Sequence, residues 1–216
     1  MKASVFYLLS LSALCALPSK ADIAVDYLSN GYISGFGTSV GTLTSILGRD
    51  LRVGLEFRPA KDGKVSQIDL AVWHLPDISP DNSFTVSIWS GSMAYPEIQL
   101  GSWDYNSTLN TNVCCGYDSI FPTNGPLLKA GEAYYLVVNA RGTTLGGWAG
   151  TNISGVQFIS INGGSWQVNG FEALAARVYT TSVPEGSGAA VCCLLLGTAV
   201  LIRSRRVRAA TGMIGS

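Results

Sequence analysis

Few residues of this chain could carry out bond-breaking chemistry, and their spacing limits what it could be. Nucleophilic catalysis needs a base that a third group orients, and the only histidine is His74. It shares the apolar phase of Ile68, Leu70 and Val72, so it reads as a half-buried, hydrogen-bonded histidine. Glycoside hydrolysis asks for two carboxylates at a fixed separation. Glu97, Glu132 and Glu172 qualify by type, and each reads equally well as a solvated strand or turn residue. A tetrahedral zinc site cannot be built from one histidine and the adjacent Cys114 and Cys115. Asp77, Asp81 and Asn82 bring hard oxygen donors for Ca²⁺ into one loop, but a solvated turn is the better reading. No metal or cofactor is implied.

The tryptophans are more informative. Trp73, Trp89 and Trp103 fall on the polar phase of their expected strands. Aromatic faces on a sheet can stack on sugar rings, and large exposed apolar groups call for a use. This makes the three candidate carbohydrate-binding residues. The competing reading is that loops, such as the segment after Ser90, fold over them. Trp148 and Trp166 sit beside glycines and read as pins for loops.

The elements that would position these residues follow a period of two, the mark of half-buried strands. Strands are expected at Arg52–Arg58, Gln67–His74, Ser83–Trp89, Ile98–Asp104, Tyr117–Phe121, Glu132–Asn139, Val156–Ile161 and Glu172–Thr180. Turn residues separate them, among them Lys61-Asp62-Gly63, Gly146-Gly147 and Asn162-Gly163-Gly164. Tyr134 to Val138 is apolar on both faces and is expected at the centre of a sheet. The strands flanking residues 76–82 are expected to pair as a hairpin. Residues 22–49, rich in Gly, Ser and Thr, read as an irregular lead-in with at most one edge strand. The expected fold class is all-β: a two-sheet antiparallel, jelly-roll-like sandwich over residues 50–182.

The ends of the chain read as addresses. Residues 1–21 have a lysine near the start, an apolar stretch and Ser19-Lys20-Ala21, the pattern of a secretory signal peptide cleaved after Ala21. Between the two ends, residues 22–182 hold 8 basic and 13 acidic residues, a charge of about −5. That lacks the basic patch phosphate backbones require, so nucleic acid is not an expected partner. Of the 5 cysteines, Cys15 belongs to the leader and Cys192 and Cys193 to the second apolar run. Cys114 and Cys115 have α-carbons about 3.8 Å apart, below the usual disulfide range. They are two ordinary thiols, one strained vicinal disulfide, or partners for another chain.

Near the C-terminus stand Val183-Pro184-Glu185-Gly186, an uncharged run over 188–202, and Arg203, Arg205, Arg206 and Arg208. As a helix that run nearly spans a hydrocarbon core of about 30 Å, and snorkelling arginines extend it. The arginines would stay on the cytoplasmic side. A plain tail anchor or a core helix would also fit the run. The order of motif, span and arginine cluster resembles the PEP-CTERM sorting signal of exported proteins, over 183–208, with residues 209–216 as a tail. Gly186 stands where that pattern has a second proline. The resemblance implies an exosortase-type processing enzyme as partner and a transient or retained membrane helix.

The middle of the chain carries a second resemblance. Phe84-Thr85-Val86-Ser87-Ile88-Trp89, Leu127 to Val138, and Gly163-Gly164-Ser165-Trp166 look like an exported β-sandwich family called choice-of-anchor. Its likeness spans roughly residues 50–180 and implies a sandwich with a surface role and no established activity. The function expected is a non-catalytic cell-surface or extracellular-matrix protein, associated with extracellular polysaccharide after an inner-membrane intermediate. The alternatives are a carbohydrate-binding module using the tryptophan face and an extracellular hydrolase.

Overall fold

Tyr134 to Val138, apolar on both faces, forms the buried centre of the larger of two sheets. In the computed structural model, described over residues 21–29, 34–42, 50–77, 79–92, 95–110 and 116–182, there are strands and no helix. The strands are β1 (Ala21–Asp26), β2 (Ser34–Thr42), β3 (Asp50–Phe57), β4 (Gly63–Leu70), β5 (Val72–His74), β6 (Ser83–Ser92) and β7 (Tyr95–Asn106). They continue with β8 (Leu109–Asn110), β9 (Asp118–Ile120), β10 (Leu127–Leu128), β11 (Tyr134–Ala140), β12 (Leu145–Ile161), β13 (Trp166–Leu174) and β14 (Ala176–Thr181). Residues 1–20 of the leader, Cys114 and Cys115, and residues 183–216 with the sorting motif, apolar run and arginines lie outside the described residues.

The described residues are all-β, with two curled antiparallel sheets. One has the order β7-β6-β11-β3-β2-β12-β5-β8, with β13 also on β12. The other has the order β1-β14-β4-β10, with β9 on β4. One short pair, β5 with β8, is parallel. The core lies between the sheets. Val53, Leu55, Phe84, Val86, Ile88 and Leu136 from the larger meet Ile68, Leu70, Leu128 and Val178 from the smaller, all of them fully buried. Alternation along β3 and β6 puts these side chains inward and Glu56, Thr85 and Trp89 on the other side.

Several expectations are corrected. Residues 22–49 contain two strands, β1 at a sheet edge and β2 inside the larger sheet. The Gly- and Ser-rich composition hides them, because glycine there serves close approach: a Cβ on Gly37 would lie 1.9 Å from the Trp148 carbonyl oxygen. Gly146 and Gly147 are not a turn but part of β12, pressed against β5. Two expected strands are each broken in two, at Ala71 and at Ala175, where the chain passes from one sheet to the other. The strands flanking residues 76–82 do not pair: β5 joins β12 and β8, while β6 joins β11 and β7.

The crossing point is a ring of three backbone hydrogen bonds. Ala71 N–H donates to Ala175, Ala175 N–H to Ala149, and Ala149 N–H back to Ala71, at 3.1, 2.8 and 3.0 Å. All three alanines are buried and form their own cluster, with Leu28 against it. The Trp148 indole N–H donates to the Ala175 carbonyl at 3.0 Å. Strands that turn a corner between sheets must satisfy backbone groups that the ladder no longer reaches, and this ring does so.

Candidate functional site

The three tryptophans do not form one face. Trp89 lies on the outer side of the larger sheet, half-buried against Tyr135, Val137 and Phe158, and its indole N–H donates to the Ser87 hydroxyl. The segment after Ser90 lies over this cluster: Tyr135 O–H donates to the Ser92 carbonyl, and the Tyr95 ring stands edge-on to Phe158. Burial, with the Glu56 charge adding to it, pushes the Tyr135 phenol up to about 12. Trp103 faces the opposite way. It pairs with Val86 and packs on the main core. The physical reason is a bulge in β7: Ile88 pairs with Gly101 and Trp89 with Gln99, so Leu100 is the extra residue and the phase inverts there. Trp73 lies over Gly147, where an added Cβ would stand 2.4 Å from the ring. Nor is Trp148 a loop pin: it is fully buried on β12.

The polar candidates are tied into the fold. His74 Nδ1 lies 2.7 Å from the Leu109 carbonyl, which makes it the donor and fastens β5 to β8. Asp81 accepts from the Thr143 hydroxyl, which comes first, and from its amide; together they outweigh slight burial and hold the carboxyl below the usual range. Asn82 donates to the Ser107 carbonyl. Among the described residues no three His, Cys, Asp or Glu side chains are grouped to hold a metal ion. Glu132 accepts from the Tyr134 hydroxyl at 3.1 Å, and Glu97 from the Ser92 amide at 3.4 Å. They stand on separate elements from Glu172, which is on β13.

Glu172 does line a cleft, one that sequence reasoning did not anticipate. It lies between β2 and the β12–β13 hairpin and has a volume of about 500 Å³, within the usual size of small-ligand sites. Its walls are Thr38, Gln157, Asn169 and Glu172, with Phe171 at the rim and glycines between them. Irregular pairing opens it. Ser154 pairs with Glu172 but Gln157 with Gly170, so β12 carries one residue more than β13 over this interval. A second shift, between Ala149 and Gly150, interrupts the pairing with β2. Bulges of this kind bend a strand and re-aim its side chains.

The Gln157 amide is 6% exposed and held on both sides. Its Nε2 donates to the Glu172 carbonyl at 2.7 Å, replacing a ladder donor at the bulge. Its Oε1 accepts from the Thr38 hydroxyl at 2.6 Å and from Asn169 Nδ2 at 3.4 Å. Asn169 is exposed, and its bonds to Gln157 and Thr38 are long. Phe171 is 75% exposed, the largest exposure among the described large apolar side chains. Gly170 leaves space: a Cβ added there would have the Gln157 amide carbon at 3.7 Å as its nearest neighbour. No motif announces these residues; Glu172 alone was a candidate, by type.

No protein-family model matches the chain, and no curated protein matches it. No helix long and apolar enough to cross a membrane occurs among the described residues, a statement that leaves 188–202 aside.

Proposed function

We propose that this chain is an exported, non-catalytic surface or matrix protein, delivered by an exosortase-type system and kept in the extracellular polysaccharide layer. The observation that carries the reading is the order of Val183-Pro184-Glu185, the uncharged run 188–202 and the cluster Arg203, Arg205, Arg206 and Arg208. The run holds the chain in the inner membrane, the arginines keep its end cytoplasmic, and the motif is where the processing enzyme acts. The domain it carries is a jelly-roll-like sandwich, a reading supported by a core shared between two curled sheets. Glu97 and Glu132 bonded locally, and His74 bonded to a backbone carbonyl, favour a structural over a catalytic part for these groups.

Changing Pro184 and Glu185 together to Ala should leave an unprocessed, membrane-held form. Mass spectrometry of the mature C-terminus checks this in cells that carry the processing system. A wild-type chain ending at Ser216 there would refute the reading.

A further inference from the structure

The cleft between β2 and the β12–β13 hairpin has the chemistry of a site for polyols. Its lining includes the amide residue Asn169, the hydroxyl residue Thr38 and the carboxylate residue Glu172. Vicinal sugar hydroxyls both give and take hydrogen bonds, and a carboxylate can accept two of them. Phe171, exposed beside these groups, offers an apolar face to the C–H face of a pyranose ring. Two features show that the space is built. The buried Gln157 amide is fixed by β2 and β13, so the wall is set before any ligand arrives. Gly170 needs no left-handed backbone and meets nothing closer than 3.7 Å, so its missing side chain keeps the cleft open rather than relieving a clash.

Charge selects among ligands. Among the described residues, Glu172 is the one ionisable residue lining the cleft, and residues 22–182 carry about −5. A uronate, sulfate or phosphate chain would meet like charge there and no cation among the described lining residues. We propose that this cleft binds an uncharged polysaccharide segment, an assignment that rests on the surface reading above only for where such a chain is met. Trp73, Trp89 and Trp103, packed on three different surroundings, take no part in it.

The test uses the full chain in a zwitterionic detergent without sugar groups. The probes are neutral hexasaccharides of glucose, mannose and galactose and a hexamer of galacturonate, read by calorimetry and saturation-transfer NMR. At least one neutral hexamer should bind, with a Kd on the order of 1 mM, and the galacturonate should not. Glu172→Gln should weaken binding about tenfold, since bonds to a charged acceptor are the strong ones. Phe171→Ala should weaken it severalfold, and Gly170→Leu should weaken it more strongly by placing a branched side chain in the cleft without lowering the melting temperature. Should Gly170→Leu fail to fold, the exposed positions Asn169 and Glu172 carry the test through Asn169→Ala and Glu172→Gln. Neutral hexamers that fail to bind at about ten times that concentration would overturn the assignment. So would preference for galacturonate, binding of extended peptides instead, or full binding by Gly170→Leu or, in its place, by both polar variants. Binding is read on purified chain, so a failure of sorting in cells leaves it untouched, and the reverse holds.

Discussion

Two regions along β12 use small residues for opposite ends. Near Ala149 the strand meets Ala71 and Ala175, and three backbone hydrogen bonds close a ring of buried alanines. Near Gln157 the same strand bulges, glycine leaves a gap, and a side-chain amide replaces a backbone donor. At the corner smallness allows backbones to touch; at the cleft it keeps a volume empty. The difference shows that a small residue in a strand has no single meaning. What its missing atoms would have met decides between packing and binding.

The largest expected effect comes from filling the corner. Ala175 is fully buried, its amide and carbonyl are both used by the ring, and the Trp148 indole bonds to it from the side. Ala175→Leu must push one of these partners away, at a cost of about 1–3 kcal/mol for overpacking and more if the ring opens. Urea denaturation gives the number. A loss below about 0.5 kcal/mol would mean that the corner yields, and the contrast with the cleft would collapse.

The corner should also be sensitive to acid. β1 ends beside it: Tyr27 N–H donates to Ala176, and Leu28 packs on the alanines. This turn is held by Asp26, whose Oδ1 accepts from the Leu28 and Ser29 amides and lies 3.0 Å from Arg177 Nε. That last contact is ionic, since Nε makes no hydrogen bond there. Burial pushes the Asp26 carboxyl up, but the hydrogen bonds from Ser29 and Leu28 and the neighbouring Arg177 guanidinium together outweigh it, so its pKa is lowered on folding. A carboxyl depressed in the fold stabilises it fully above its unfolded pKa, near 3.9, and the gain is lost as pH falls through the folded value. Melting measured from pH 6 down to about pH 2 should therefore drop more steeply in the wild type than in Asp26→Asn. The difference is about 1 kcal/mol or less, because the pair is partly solvated. Parallel slopes would remove Asp26 from the account.

Much of the sheet was legible in the sequence, and the exceptions have physical causes. β3, β6 and β11 alternate or run apolar without interruption, so their phases read directly. The breaks at Ala71 and Ala175 did not read, because alanine, unlike glycine or proline, gives no sign of a turn. The phase of Trp103 did not read, because one extra residue at Leu100 inverts everything after it. The first part of β12 was hidden by Gly146 and Gly147, which look like a turn and are contacts with Trp73. The cleft could not be read at all: Thr38 lies 119 residues from the Gln157 amide it bonds, and only the register of three strands brings them together.

The smallest effect should fall on the cleft, whose lining includes two glycines with different reasons. A Cβ on Gly37 would meet the Trp148 carbonyl oxygen at 1.9 Å, so Gly37→Ala must displace β2 from β12. A Cβ on Gly170 would meet only the Gln157 side chain, at ordinary contact distance. Glycine in a strand carries an entropic penalty of about 0.5–1 kcal/mol relative to alanine, and Gly170→Leu removes it while starting its side chain in ordinary contact with Gln157 rather than in a clash. Its stability should therefore not fall below that of the wild type, and any gain should not exceed about 1 kcal/mol. Gly37→Ala should lose more, and it should do so at pairs such as Ala149 with Gly37 rather than across the core. Hydrogen exchange resolved by strand separates the two. Protection in β2 should fall in the Gly37 variant and hold in the Gly170 variant. If Gly170→Leu also exposes β2 or β13, the gap is a structural necessity rather than a kept space, and the case for a ligand there goes with it.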